Sequence, residues 1–227
     1  SADYSRDDAS LNVGAPINEL RYLFTGLELL PLAVDPEDYD YTARTTPGLP
    51  NSTKLDHWGA SARMEWDVGP EIQLRSITAY RELDTDDYID IDATELEVGD
   101  VFVGVDQNQF SQEFQVLVSA GRLNGVAGVY YMDANASGAF DTVVGLANLT
   151  TLTSGSVATK SYAVFADFSY DVTDALSVSV GGRFTKDEKE GTVFRQRYLG
   201  IRSPYFGNTT AVPFLGEAPR TNYTRTR

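Results

Sequence analysis

The chain has 227 residues, a formal net charge of −15 and a sequence pI near 4.3. Such a surface repels phosphate backbones and argues against nucleic acid as a partner. It has no cysteine, which removes disulfide frameworks, thiolate metal sites and cysteine nucleophiles together. No apolar run is long enough for a transmembrane helix, but a membrane β-strand needs only every second residue to be apolar, so a barrel escapes a hydropathy scan. The sequons at Asn51 and Asn148 are the kind that polar loops rich in Asn, Ser and Thr produce by chance.

The opening residues Ser1 to Asp8 are polar and acidic and carry no secretory signal. Residues 1–56 read as a polar extracellular loop region following an earlier barrel strand. The clearest pattern then begins. From His57 to Val68 every even residue is apolar, through Trp58, Ala60, Ala62, Met64, Trp66 and Val68. Every odd residue between them is small or charged. This is a two-faced strand, broken by Gly69-Pro70. A second strand starts at Glu71, with Ile72 and Leu74 opposed to Gln73 and Arg75. Its alternation blurs over residues 76–80, where a bulge is expected.

A third strand spans about 107–119. Phe110, Phe114, Val116 and Val118 share a face with Gln112, against Gln109, Ser111, Glu113 and Gln115. Ala120-Gly121 is a tight turn. A fourth strand covers 122–133, with Leu123, Ala127, Val129 and Tyr131 on one side. The fifth, 160–172, puts Tyr162, Val164, Ala166, Phe168, Tyr170 and Val172 on one face. Thr173-Asp174 turns the chain into a sixth strand, 175–188, with Leu176, Val178, Val180 and Phe184 opposite Ser177, Ser179, Arg183 and Thr185. A seventh is expected near Thr192.

The connections alternate. Short turns at 69–70, 120–121 and 173–174 are separated by polar stretches at about 83–106 and 134–159. Loops that long are uncommon in compact soluble domains, whereas outer-membrane barrels have short periplasmic turns and long extracellular loops. Strands of a dozen residues also exceed the usual ~5–6 of globular sheets. Trp58 and Trp66 are placed to meet the two membrane interfaces. The fold class expected is therefore all-β, an antiparallel transmembrane β-barrel, of which this chain is a part. Barrel strands with short periplasmic turns and long extracellular loops occupy 57–190. The start of a further strand and a truncated extracellular loop occupy 191–227.

Catalytic chemistry has little support. His57 is the only histidine, and at a loop–strand junction beside Trp58 it reads as an interfacial polar residue rather than a general base. Scattered acids say nothing of a glycosidase in so acidic a chain. No catalytic residue, cofactor site or metal site is assigned. Asp84, Asp86, Asp87, Asp90, Asp92, Glu95, Glu97 and Asp100 crowd one expected loop. That density of oxygen ligands can hold Ca²⁺, but its spacing is not an EF-hand, and a solvated acidic loop is the favoured reading. If the apolar even residues face lipid, then Arg63, Glu65, Gln73, Arg75, Gln109, Glu113, Gln115 and Arg183 face the lumen, as candidates for plug or substrate contact.

A set of segments carries a resemblance. They are Leu74-Arg-Ser-Ile-Thr-Ala-Tyr-Arg81, Phe110-Ser-Gln-Glu-Phe-Gln115, Leu123-Asn-Gly-Val-Ala-Gly-Val-Tyr-Tyr131, Ser161-Tyr-Ala-Val-Phe-Ala166, Tyr170-Asp-Val-Thr-Asp174, Leu176-Ser-Val-Ser-Val-Gly-Gly-Arg-Phe184 and Thr185-Lys-Asp-Glu-Lys189. In this order, over about 58–189, the chain resembles TonB-dependent receptors of the bacterial outer membrane, most of all a sphingomonad-like group. The resemblance implies a barrel of about 22 strands closed around an N-terminal plug, of which about six to seven lie here, with the plug absent from this segment. It implies a TonB box that contacts the energy-transducing TonB complex through the missing N-terminal part. It also implies outer-membrane lipid and lipopolysaccharide as surroundings, and a scarce nutrient, most often a ferric siderophore, as ligand. A passive porin or channel and a soluble β-sandwich binding module are the alternatives.

Overall fold

A computed structural model describes residues 1–9, 20–21, 26, 28–30, 45–46, 52–92, 95–215 and 220–226. Its body is one antiparallel sheet. Six long strands run in chain order: β4 (Thr53–Asp67), β5 (Ile72–Asp90), β6 (Asp100–Ala120), β7 (Leu123–Val144), β8 (Leu149–Thr173) and β9 (Leu176–Leu199). Ahead of them β1 (Ala2–Ala9) pairs with β4. Beyond them β10 (Val212–Pro213) and β11 (Arg220–Thr226) both pair with β9. A small separate hairpin joins β2 (Leu20–Arg21) to β3 (Glu28–Leu30). Each long strand pairs with the next in sequence, the up-and-down order of a barrel wall.

Cross-strand register turns the period of two into a surface. Residues that face each other across the ladder share a side of the sheet. Met64, Ser76, Phe114, Val129, Val164 and Phe184 therefore form one row across six strands. Trp66, Leu74, Val116, Ala127, Ala166 and Gly182 form the row below. Val180 and Phe184 are 72% and 73% exposed, and Val164 is 60% exposed. A soluble sandwich would cover such a face with a second sheet. None does among the described residues.

The apolar band runs from the row of Ile72 and Val118 to the row of Tyr80 and Phe110. That is about 26 Å along the strand, on the scale of the ~25 Å band of outer-membrane barrels. Its upper edge is aromatic. Trp58 stacks near Tyr80 at 5.1 Å between ring centroids, Phe110 near Tyr131 at 6.5 Å, and Tyr131 near Tyr162 at 5.2 Å. Trp66, Phe168 and Tyr170 lie toward the lower edge of the same face, so the two tryptophans mark opposite borders as expected.

The bulge expected over 76–80 does not form, and the register there is unbroken against both neighbours. The alternation blurs because Ser76 and Thr78 occupy apolar-face positions. Their hydroxyls are satisfied by Gln112, whose amide donates to Ser76 Oγ at 3.0 Å and whose carbonyl accepts from Thr78 Oγ1 at 2.5 Å. A polar group in hydrocarbon must find its partner within the protein, and these three find one another. The sheet's one register shift among these strands lies at Asp171/Thr173.

The strands are longer than the sequence pattern indicates. β5 and β6 pair as far as Asp90–Asp100, so the connection shrinks from 83–106 to 91–99. β7 and β8 pair up to Val144–Leu149, leaving 145–148. There a short 3-10 turn at Gly145–Ala147 ends on Asn148 in the left-handed region, φ 47°. β4 begins at Thr53, so His57 lies inside a strand. Residues 2–9, expected in a polar loop, are a paired strand. No new strand starts near Thr192; β9 continues to Leu199, and the further strand is β11. Beyond the apolar band the hydrophobic alternation disappears, but the backbone ladder continues.

This extension carries its own small core. Tyr88, Phe102 and Val143 are buried together, with Ile201 and Phe206 packed against them. The segment after β9 folds back over the sheet to supply those two residues, and a second short 3-10 turn lies at Pro204–Phe206.

The central row of the band predicts a sharp asymmetry. In the complete barrel, Val164→Arg or Met64→Arg should cost roughly 2–4 kcal/mol, the cost of a cation at a bilayer midplane. Ser61→Arg or Ser169→Arg, on the opposite face, should cost far less. Urea titration of the four variants in lipid vesicles checks this, and equal costs on both faces would reverse the orientation.

Candidate functional site

The eight polar residues expected to share a face do so. Glu65, Arg75 and Gln115 form one row; Arg63 and Glu113 flank Ile77 in the next; Gln73 lies one row below and Gln109 further up, beside Arg81. Arg183 pairs with Phe165 at the level of the first row. All stand opposite the apolar band.

Six of them are joined. Arg63 donates through Nε to Glu65 Oε1 at 3.0 Å, and Arg75 donates to the same oxygen at 2.7 Å. Arg75 also donates to Gln115 Oε1 at 3.1 Å and to Gln73 Oε1 at 3.5 Å, while Gln115 bonds Glu113. Gln73 donates on to Asp67 at 3.0 Å. Two cations against Glu65 give the network fixed donors in fork geometry, suited to planar oxygen acceptors. Arg183 stands apart, its guanidinium 5.6 Å from the Tyr130 ring and 5.7 Å from the Phe165 ring. Such cation–π placement holds a charge over a face without neutralising it. Gln109 is separate too, in a hollow shared with His57 and Arg81. His57 sits on this polar face, on the other side of the sheet from Trp58, with Nδ1 3.5 Å from Asp3 Oδ2.

Phe165 and Tyr130 were not anticipated. The signal for Phe165 is its odd position inside a strand whose even positions are apolar. Gly128 makes room for it. A Cβ there would lie 2.6 Å from the Phe165 ring and 2.6 Å from the Phe114 carbonyl oxygen, so only glycine lets the ring lie on the strand.

A surface hollow of about 810 Å³ lies largely on the apolar band, along Trp66, Leu74, Phe114, Val129, Val164 and Phe184. It is an open groove among lipid-facing side chains. Acyl chains fill such a groove in a bilayer, and it offers a polar ligand little.

The acidic residues expected in one solvated loop are dispersed. Asp84, Asp86, Asp87 and Asp90 lie on β5, and Asp100 opens β6. Asp92, Glu95 and Glu97 remain in the connection. Asp84 faces Asp106 across the ladder, and that neighbouring carboxyl, with partial desolvation, holds the Asp84 carboxyl above the usual range. Asp141 is fully buried and accepts the Ser203 N–H at 2.6 Å, pinning the returning segment; burial holds its pKa high. Asp100 is 0% exposed and accepts the Tyr88 hydroxyl at 2.6 Å. Burial pushes its carboxyl up to about 6, and the charges of Asp90, Asp92 and Glu97 add to this, against the lowering effect of the Tyr88 bond.

An acid whose pKa rises on folding is one whose charged form folding disfavours. With divalent ions chelated, the contribution of Asp100 to stability should be full below about pH 4, be lost as the pH climbs to about 6, and change no further above. Asp100→Asn keeps an acceptor for Tyr88 and should lose its part of that fall, leaving the part that the buried Asp141 contributes. Unfolding the complete barrel and this variant in detergent at pH 4 and pH 7.5 checks it; parallel behaviour of the two would remove Asp100 as a source.

Comparison with known proteins agrees with this wall-like architecture. The crystal structure of the ferric yersiniabactin uptake receptor FyuA from Yersinia pestis superposes with a TM-score of 0.63 at 11% identity. The match covers 99% of this chain and 30% of that one, so the chain spans under a third of that structure's length. No curated protein sequence matches. The profile of the family described as TonB dependent receptor-like, beta-barrel matches residues 1–226, and the chain belongs to that family.

Proposed function

We propose that this chain is a wall segment of an outer-membrane receptor that imports a scarce nutrient, most often a ferric siderophore, with energy delivered by the TonB complex to the rest of the protein. The observation that carries the reading is the two-sidedness of the sheet, an apolar band with aromatic edges on one face and the Arg63–Glu65–Arg75–Gln115 network on the other. Outer-membrane lipid and lipopolysaccharide cover the first face in a Gram-negative cell. The second lines the lumen, where Arg75 and Arg183 meet either the plug or an anionic ligand. FyuA's uptake of a ferric siderophore supports the choice of ligand class, and family membership supports energy coupling over a passive porin.

The short turns at 68–71, 121–122 and 174–175 lie at the periplasmic rim in this reading, and the strand extensions above the aromatic row lie outside. An epitope inserted after Leu215, which is 85% exposed, should be reached by antibody on intact cells. One at Thr173-Asp174 should be reached only after permeabilisation. The reverse pattern would invert the wall.

Uptake of a radiolabelled ferric siderophore by cells carrying the complete receptor should stop when TonB is deleted or the proton gradient is collapsed. Uptake that continues would identify a passive channel. Arg75→Gln should lower uptake by about tenfold, the factor that ~1.4 kcal/mol of lost interaction carries, while heat-modifiable migration on gels shows the barrel still folded. Unchanged uptake in that variant would assign Arg75 to the wall alone.

A further inference from the structure

At the outer end of the β5–β6 hairpin three carboxylates converge. Asp90 and Asp100 face each other across the ladder, as the last pair before the turn. Asp92, two residues beyond Asp90, joins them. One carboxylate oxygen from each lies within 4.8 Å of the other two. Asp92 is oriented by the backbone, since its Oδ2 accepts the N–H of Val98 at 3.2 Å and of Gly99 at 2.9 Å.

Asp100 supplies a second and independent observation. It is sealed from solvent, with one oxygen on the Tyr88 hydroxyl and its Oδ2 buried with no donor. A buried carboxylate oxygen with no partner costs free energy that folded proteins avoid. The apolar packing of Tyr88, Phe102 and Val143 beside it keeps water from being an easy substitute.

We infer that Asp90, Asp92 and Asp100 form a binding site for a hard divalent cation, Ca²⁺ by class, which clamps the outer end of this hairpin. Three carboxylates and no nitrogen or sulfur ligand fit a hard ion rather than zinc or copper. Ca²⁺ takes six to eight oxygens at about 2.3–2.6 Å, so a coordination sphere about 5 Å across accommodates oxygens within 4.8 Å of one another. Mg²⁺ keeps most of its waters and uses one or two carboxylates, which suits a sealed Asp100 less well. Water and neighbouring backbone carbonyls of residues 95–99 would complete the shell. The ion would supply the missing partner of Asp100 and draw the turn onto the strand ends, fixing a surface on the outer rim.

The test uses the complete receptor, purified in detergent, stripped with chelator and dialysed. Added CaCl₂ should raise its unfolding temperature by several degrees in a saturable way, and MgCl₂ should do so much less. Terbium should bind and luminesce when tyrosine is excited, because Tyr88 adjoins Asp100, and excess Ca²⁺ should quench that emission. Asp92→Asn should remove both responses. Asp100→Asn should remove the calcium shift while raising stability in chelator. Asp187→Asn, elsewhere on the sheet, should retain both. No calcium shift in the unaltered receptor, or a shift kept in both the Asp92 and Asp100 variants, would overturn the site. Neither result depends on which ligand the receptor imports.

Discussion

Hydrocarbon offers no hydrogen bonds, and that single constraint organises the molecule. Every N–H and C=O at membrane depth must be paired by the neighbouring strand, so the six long strands run in unbroken antiparallel ladders. The same demand explains the Ser76–Gln112–Thr78 cluster. Polar side chains are tolerated on the lipid side where they satisfy each other within the protein. At the depth of the apolar band the outer edges are the lower parts of β4 and β9, which have no partner strand among the described residues, and an open edge is not stable in lipid.

The ladder does two jobs at different heights. Across the bilayer it holds an apolar band against lipid and a network of fixed charges on the reverse face. Above the aromatic row the lipid constraint ends, and the strands persist for other reasons. There Tyr88, Phe102 and Val143 gather a small core, and Asp141 holds the returning segment through Ser203. The paired extension is thus a stiff platform rather than a set of loose loops. A stiff platform can present buried carboxylates, and a mobile polar loop would simply hydrate them.

The polar face shows how an arginine can be prepared for two uses. Arg75 is held by Glu65, Gln73 and Gln115, so its position is defined before anything approaches. Arg183 lies against aromatic faces and Thr185, and among the described residues it makes no ion pair. Gly128 is the silent contributor, because a side chain there would displace Phe165.

Within the membrane the sequence by itself determined much of this protein. A period of two is the direct imprint of lipid on one face and a polar interior on the other, so strands, faces and short turns follow from Trp58 to Phe184 without coordinates. The eight polar residues could be assigned to one side by parity alone. Tertiary structure decided what happens where that imprint fades. Outside the bilayer no lipid face imposes a regular alternation, and residues 83–90, 100–106, 134–144 and 149–159 look like loops while being paired backbone. Register, which no single strand encodes, decided which residues meet: Arg75 with Glu65, Phe165 with Gly128, and Asp90 with Asp100. The burial of Asp100 was illegible for the same reason, since it depends on Tyr88 and Val143 arriving from neighbouring strands and on the turn that closes above them.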